Sequence, residues 1–322
     1  MAFATKHPMS RVVSLASAVA LSLATLVPMS SMAPASAAPQ AAPSSQWIKS
    51  TNYKYPGNDG KRHKVTWDKY SYKVDGQRLN IWSGEVHYWR LPSPNQWRDV
   101  LQKMKAAGFN AVSFYFFWGY HQSAPDAPFD FSGVRDMDLL LRMAAEEGLY
   151  VIARPGPYIN AEISMGGMPA WQTNSALPLR TAWDKTNWKE QRAWLRAINR
   201  ILARHQVTNG GGSVLMYQAE NEELFSLGPY ADYVKKIIKA AKEDGINVPI
   251  FHNDYAPLSN WAFNTKDTGL DVYSYDDYPI RFDCSAERQE LSDHNWHIDP
   301  AFKAANNSPH FIAEAQGGAF TP

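Results

Sequence analysis

Val214-Leu215-Met216-Tyr217-Gln218-Ala219-Glu220-Asn221-Glu222 decides the reading of the fold. Four apolar residues are too few for a helix and enough for a buried strand, and the run breaks abruptly into amides and carboxylates. Outward from it, the same unit recurs at 81–86, 111–117, 150–153, 249–252, 271–275 and 310–314, which makes seven candidate strands in all. Helical periodicity fills the gaps. Pro94 opens a segment with Trp97, Val100, Leu101 and Met104 on one face and Gly108 near its exit. Further helices are predicted over 137–147, 189–205 and 230–244, with Gly148 and Gly245 as exits from the first and last. Short strands alternating with longer helices specify an α/β chain with a parallel sheet. The expected architecture is a (β/α)8 TIM-type barrel with about seven βα units present and the eighth missing after Pro322. An open doubly wound sheet would carry a Gly-rich phosphate loop after an early strand, and no strand end has GxGxxG.

In a parallel barrel the C-terminal strand ends converge on one mouth, so functional side chains are sought there. These ends are rich in charge. The first reads Gly84-Glu85-Val86-His87-Tyr88-Trp89-Arg90, the third Arg154-Pro155-Gly156-Pro157-Tyr158-Ile159-Asn160-Ala161-Glu162, and the seventh Glu314-Ala315-Gln316-Gly317-Gly318. With Glu220 and Glu222 of the fourth, they bring five carboxylates toward one cavity. Hydrolysis of a glycosidic bond needs two carboxyl groups, one protonated to help the aglycone leave and one ionised to attack or to activate water. Glu222 and Glu314 end strands on opposite sides of the expected barrel, and Asn221 offers an amide to a sugar hydroxyl beside the reacting carbon. A barrel mouth also carries acidic residues that only brace an arginine such as Arg154, and Tyr115 or Tyr278 in aromatic-rich strands could serve packing alone.

Residues 84–92, 154–171, 218–222 and 314–320 closely resemble the strand-end motifs of glycoside hydrolase family 35, the retaining β-galactosidases. The resemblance covers roughly 81–322, with the motifs in the family's order. It implies Glu222 as acid/base, Glu314 as nucleophile, and Tyr115, Asn160, Ala161, Glu162 and Asn221 as galactose-binding positions. Tyr278, within Asp276-Asp277-Tyr278-Pro279, resembles the family's aromatic contact near the nucleophile. The implied activity is release of terminal non-reducing β-D-galactose by double displacement, from a β-galactoside oligo- or polysaccharide, with no metal or organic cofactor. Two departures reshape the rim of the pocket: Glu223-Leu224 where the family usually has an aromatic, and Ile163-Ser164-Met165 where a bulky Trp or Phe pair is common. The family also continues through an eighth unit into β-rich domains. Another barrel glycosidase acting on β-glucan, mannan or β-glucosaminide shares the Asn-Glu pair, and a non-catalytic carbohydrate-binding barrel is the rival from another class.

The rest of the chain narrows the setting. Lys6 and Arg11 precede an apolar run interrupted by Ser and Thr, and Ala35-Ser36-Ala37 supplies small residues for cleavage, so 1–37 is read as a signal peptide of a secreted protein. A Pro/Ala/Ser linker at 38–45 follows, then a hairpin or cap at 46–80 around the Asp75-Gly76 turn, and the glycosidase barrel occupies 81–322. Loss of the signal removes two cations and no anion from a formal net charge of +1, leaving −1 and no basic run. Nucleic acid and membrane are therefore not expected partners. A single cysteine among 322 residues excludes an internal disulfide, and the nine histidines include no HExxH metal motif.

Overall fold

A computed structural model of the chain describes residues 48–174, 178–182, 185–278 and 307–315. The stretches read as signal peptide and linker lie outside them. Three short strands, β1 (Val65–Asp68), β2 (Ser71–Val74) and β3 (Gln77–Leu79), form an antiparallel meander with Asp75-Gly76 at its second turn. Tyr72 and Val74 are its buried residues, and the Tyr72 ring meets Phe311 edge-on at 5.6 Å. Phe311 immediately precedes a barrel strand, so this small sheet packs at the strands' N-terminal ends, away from the mouth.

The main sheet is parallel and keeps sequence order: β4 (Ser83–Glu85), β5 (Ala111–Tyr115), β6 (Tyr150–Arg154), β7 (Val214–Gln218), β8 (Ile250–Asp254), β9 (Val272–Asp277) and β10 (Ile312–Ala315). Every residue of β5 to β9 is buried. Continuous apolar runs form strands covered on both faces, which is why they do not alternate. The sheet is curled. β5 and β10 are five places apart, a separation of roughly 24 Å were the sheet flat, yet Tyr115 on one and Glu314 on the other share a 2.6 Å hydrogen bond.

The helices follow from local chemistry. α1 (Pro94–Ala106) starts with Pro94 at its first position and Ser93 accepting from the Gln96 amide, and it buries Trp97 and Leu101. A four-residue α2 (Trp118–His121) follows β5. The Asp136 carboxylate caps α3 (Met137–Glu146) at the Leu139 N–H, and Gly148 ends its exit turn at φ 76°, a conformation costly for a side chain. α4 (Lys185–Arg204) begins four residues earlier than its apolar face suggests, and α5 (Gly228–Glu243) starts at Gly228 with Pro229 in its first turn. The short α6 (Thr265–Thr268) precedes β9. The first strand is shorter than its apolar run, whereas β6, β8 and β9 run on into polar residues.

Candidate active site

Four strand ends converge on the Glu314 carboxylate. Tyr115 donates to Oε1 at 2.6 Å, Tyr278 donates to Oε2 at 2.7 Å, and Asn253 Nδ2 lies 3.3 Å from Oε1. Arg154 forms a short ion pair with the same carboxylate, and its guanidinium lies over the Tyr115 ring at 3.9 Å. Burial alone would raise the Glu314 pKa, but Arg154 and the two phenols outweigh it and hold the carboxyl below the usual range. Both phenols are pushed up, chiefly by burial and also by neighbouring charge, so they remain donors. Glu314 is therefore ionised in a fixed orientation, as a nucleophile must be.

Glu222 stands in a different setting. It is half-buried at φ 46°, and Glu220 two residues earlier sits at φ 67°, so Asn221 is presented from a pair of left-handed residues. The side-chain oxygen Oδ1 of Asn221 accepts from Arg154 at 2.7 Å and from Gln218 at 3.1 Å, with Asn253 Nδ2 at 3.3 Å. Those donors fix the amide so that its NH2 faces Glu222 Oε2 at 3.4 Å. Asn160 Nδ2 reaches the same oxygen at 3.4 Å. Burial raises the Glu222 pKa, and the Glu314 charge raises it further. Asp276, buried and bonded to Asn253 Nδ2 at 2.7 Å, is itself pushed well up by burial and by Glu314.

The loop carrying Glu222 is pinned from behind. Glu220 is fully buried and takes a bidentate bond from Arg180, at 2.7 Å to each oxygen, while Arg180 also donates to the Asn221 carbonyl at 2.5 Å. Glu220 is thus a structural partner of Arg180. His252 donates from Nδ1 to the Ala219 carbonyl at 2.8 Å and accepts at Nε2 from the Glu223 amide at 3.2 Å. That tautomer is the neutral ring, and burial lowers its pKa to about 3.

The remaining sequence candidates occupy the rim. Asn160, Ala161 and Glu162 form a left-handed run at φ 53°, 52° and 49°. Ala161 contributes its carbonyl to Arg90 at 3.1 Å and packs against Tyr115 and Ile159. Glu162 is exposed, raised in pKa by partial burial and by the charges of Glu314 and Glu85, and is not hydrogen-bonded into the central network. Glu85 bridges His87 at 2.7 Å and Arg154 at 3.0 Å. Arg154, Gln218, Asn253 and Asp276 are members of the site's hydrogen-bond network that sequence reasoning did not single out. Asn253 and Asp276 occupy polar strand ends, the signal that singled out Glu222.

The match to a family model, Glycosyl hydrolases family 35, spans residues 71–322. The chain belongs to glycosyl hydrolases family 35. Among curated family relatives, it is 39% identical over 277 residues to "Probable beta-galactosidase C" of Aspergillus fumigatus, covering 82% of this chain and 28% of that protein. It is 36% identical over 286 residues to the protein of the same name from Penicillium rubens, covering 86% of this chain and 28% of the relative. This family 35 chain thus spans less than a third of the length of those relatives. Solved structures share the fold at low identity. A glycoside hydrolase family 5 protein from Bacteroides vulgatus aligns with TM-score 0.55 at 17% identity, over 81% of this chain and 54% of that one. The endo-1,4-beta-mannanase from Rhizomucor miehei aligns with TM-score 0.51 at 12% identity, over 67% and 71%.

Proposed function

We propose that this chain carries the catalytic barrel of a secreted retaining β-galactosidase, with Glu314 as nucleophile and Glu222 as acid/base. The observation that supports it most is the opposite push on two carboxyls in one site: Arg154, Tyr115 and Tyr278 hold the Glu314 pKa down, while burial and the Glu314 charge push the Glu222 pKa up. Family membership and the names of the relatives favour galactose over other sugars.

In the first step the Glu314 carboxylate attacks the anomeric carbon as the glycosidic oxygen leaves with the Glu222 proton; in the second, Glu222 takes a proton from water, which displaces Glu314. The Asn221 NH2 faces the same region and is suited to a hydroxyl beside the reacting carbon, with Asn160, Glu162 and the Ala161 backbone at the rim. No step needs a metal or an organic cofactor.

The test is a mechanism-based 2-fluorogalactoside with a dinitrophenyl leaving group, followed by peptide mass spectrometry and by NMR of the first product anomer formed from an unmodified substrate. The expected result is one covalent adduct on Glu314 and initial release of the β-anomer. Release of the α-anomer, or labelling elsewhere, would overturn the assignment. Export is tested separately by N-terminal sequencing of protein from the culture medium, which is expected to begin at Ala38; retention in the cell counts against it.

A further inference from the structure

A cavity of about 510 Å³ is lined, among others, by Tyr158, Asn160, Ile163, Met165, Met168 and Leu179. Its size is that of a small-molecule site. Most of its lining is hydrocarbon, aromatic ring or thioether. Asn160 belongs both to this cavity and to the catalytic network, since its amide reaches Glu222 Oε2 at 3.4 Å. Tyr115, Arg154, Asn253 and Tyr278, the side chains that hold Glu314, do not line it. The cavity is therefore connected to the acid/base through Asn160, and its lining includes none of the side chains that hold the nucleophile.

Its wall is built rigidly. Gly166 packs against the Tyr158 ring so closely that a Cβ there would lie 2.0 Å from Tyr158 Cε2. The Arg180 guanidinium covers the same ring at 4.0 Å and is itself held by Glu220. Met165 holds a left-handed conformation, φ 59°, and stays 39% exposed at the cavity edge. A thioether in that position adapts to guests of irregular shape.

The acid of a retaining glycosidase protonates the leaving-group oxygen, so whatever that oxygen carries extends on the acid's side. We propose that this cavity is the leaving-group site and that it selects galactosides with an apolar aglycone, aromatic or branched alkyl. The proposal rests on the reading of Glu222 as the acid/base of a β-galactosidase.

The experiment compares kcat/KM for phenyl and 4-tert-butylphenyl β-galactosides, whose leaving groups are nearly equally basic, in the chain and in its Met165→Ser and Leu179→Asp variants. At least a tenfold preference for the butylphenyl substrate is expected, from the transfer of four more carbons out of water. Each variant should bring that ratio toward one, and a ratio cancels any general loss of activity. A wild-type ratio near one, or an unchanged ratio in both variants, overturns the proposal. Calorimetry with the corresponding 1-thiogalactosides separates it from the reading beneath it. Tighter binding of the butylphenyl compound without turnover of any galactoside would sink the hydrolase reading and keep the cavity assignment. Equal binding of both compounds would sink the cavity assignment.

Discussion

Glu314 and Glu222 are the same side chain in one cavity, and their surroundings differ in almost every respect. Around Glu314 stand a guanidinium, two phenols and an amide, all donors. Around Glu222 stand two amide NH2 groups at 3.4 Å and the nearby negative charge of Glu314. Donors and a cation stabilise an anion, whereas burial beside another anion favours the proton. The lesson is that role follows neighbourhood: the proposed nucleophile is made by what is attached to it, the proposed acid by what is withheld.

The comparison breaks most completely if Glu314→Gln leaves activity intact. Removal of the attacking oxygen should lower kcat for every galactoside by on the order of 10⁴ or more, read by steady-state assay. Glu222→Gln should be graded by leaving group. With a poor leaving group the loss should be roughly 10²–10⁴, while a dinitrophenyl galactoside should still galactosylate Glu314 and stall there. Intact-protein mass spectrometry reads the adduct, and equal losses with good and poor leaving groups would argue against Glu222 as the acid.

Arg154→Met sharpens the contrast from the Glu314 side. The active form has Glu314 ionised, and its pKa lies below the ordinary value, so kcat/KM declines only as pH falls through that lowered value. Without the cation the pKa rises, and the acidic limb of the pH profile should move to higher pH. The stability loss from leaving a buried partner unpaired should be about 3–5 kcal/mol by denaturant unfolding. An unmoved acidic limb would mean that Arg154 serves only architecture.

Hydropathy made the barrel legible because β5 to β9 are buried on both faces and cannot hide among polar residues. Glu222 and Glu314 were legible as carboxylates where such runs end. Asn253 was lost because the fifth run reads as ending at His252, while β8 continues to Asp254. Strand residues at the mouth stay hydrogen-bonded in the sheet and turn polar because they face the cavity, so a loss of hydropathy is mistaken for a loss of strand. Arg154 was visible only as a brace for a carboxylate; its simultaneous contacts to Glu85, Asn221 and Glu314 join three separate strand ends and have no trace in local sequence. Glu162 shows the converse. Its motif places it correctly at the mouth, yet the left-handed turn at 160–162 leaves it on the rim.

At position 222 backbone and chemistry ask for different amino acids. A φ of 46° suits glycine, and a longer side chain there costs about 1–2 kcal/mol. Proton transfer requires a carboxylic acid at that same residue. Efforts to harden this barrel by choosing, position by position, the residue its backbone prefers would therefore nominate Glu222→Gly, gaining resistance to unfolding while erasing the proposed proton donor. A search for thermostable variants that scores only survival of the fold would drift toward inert protein at this one place, and selection by turnover of a poor leaving group would hold it back.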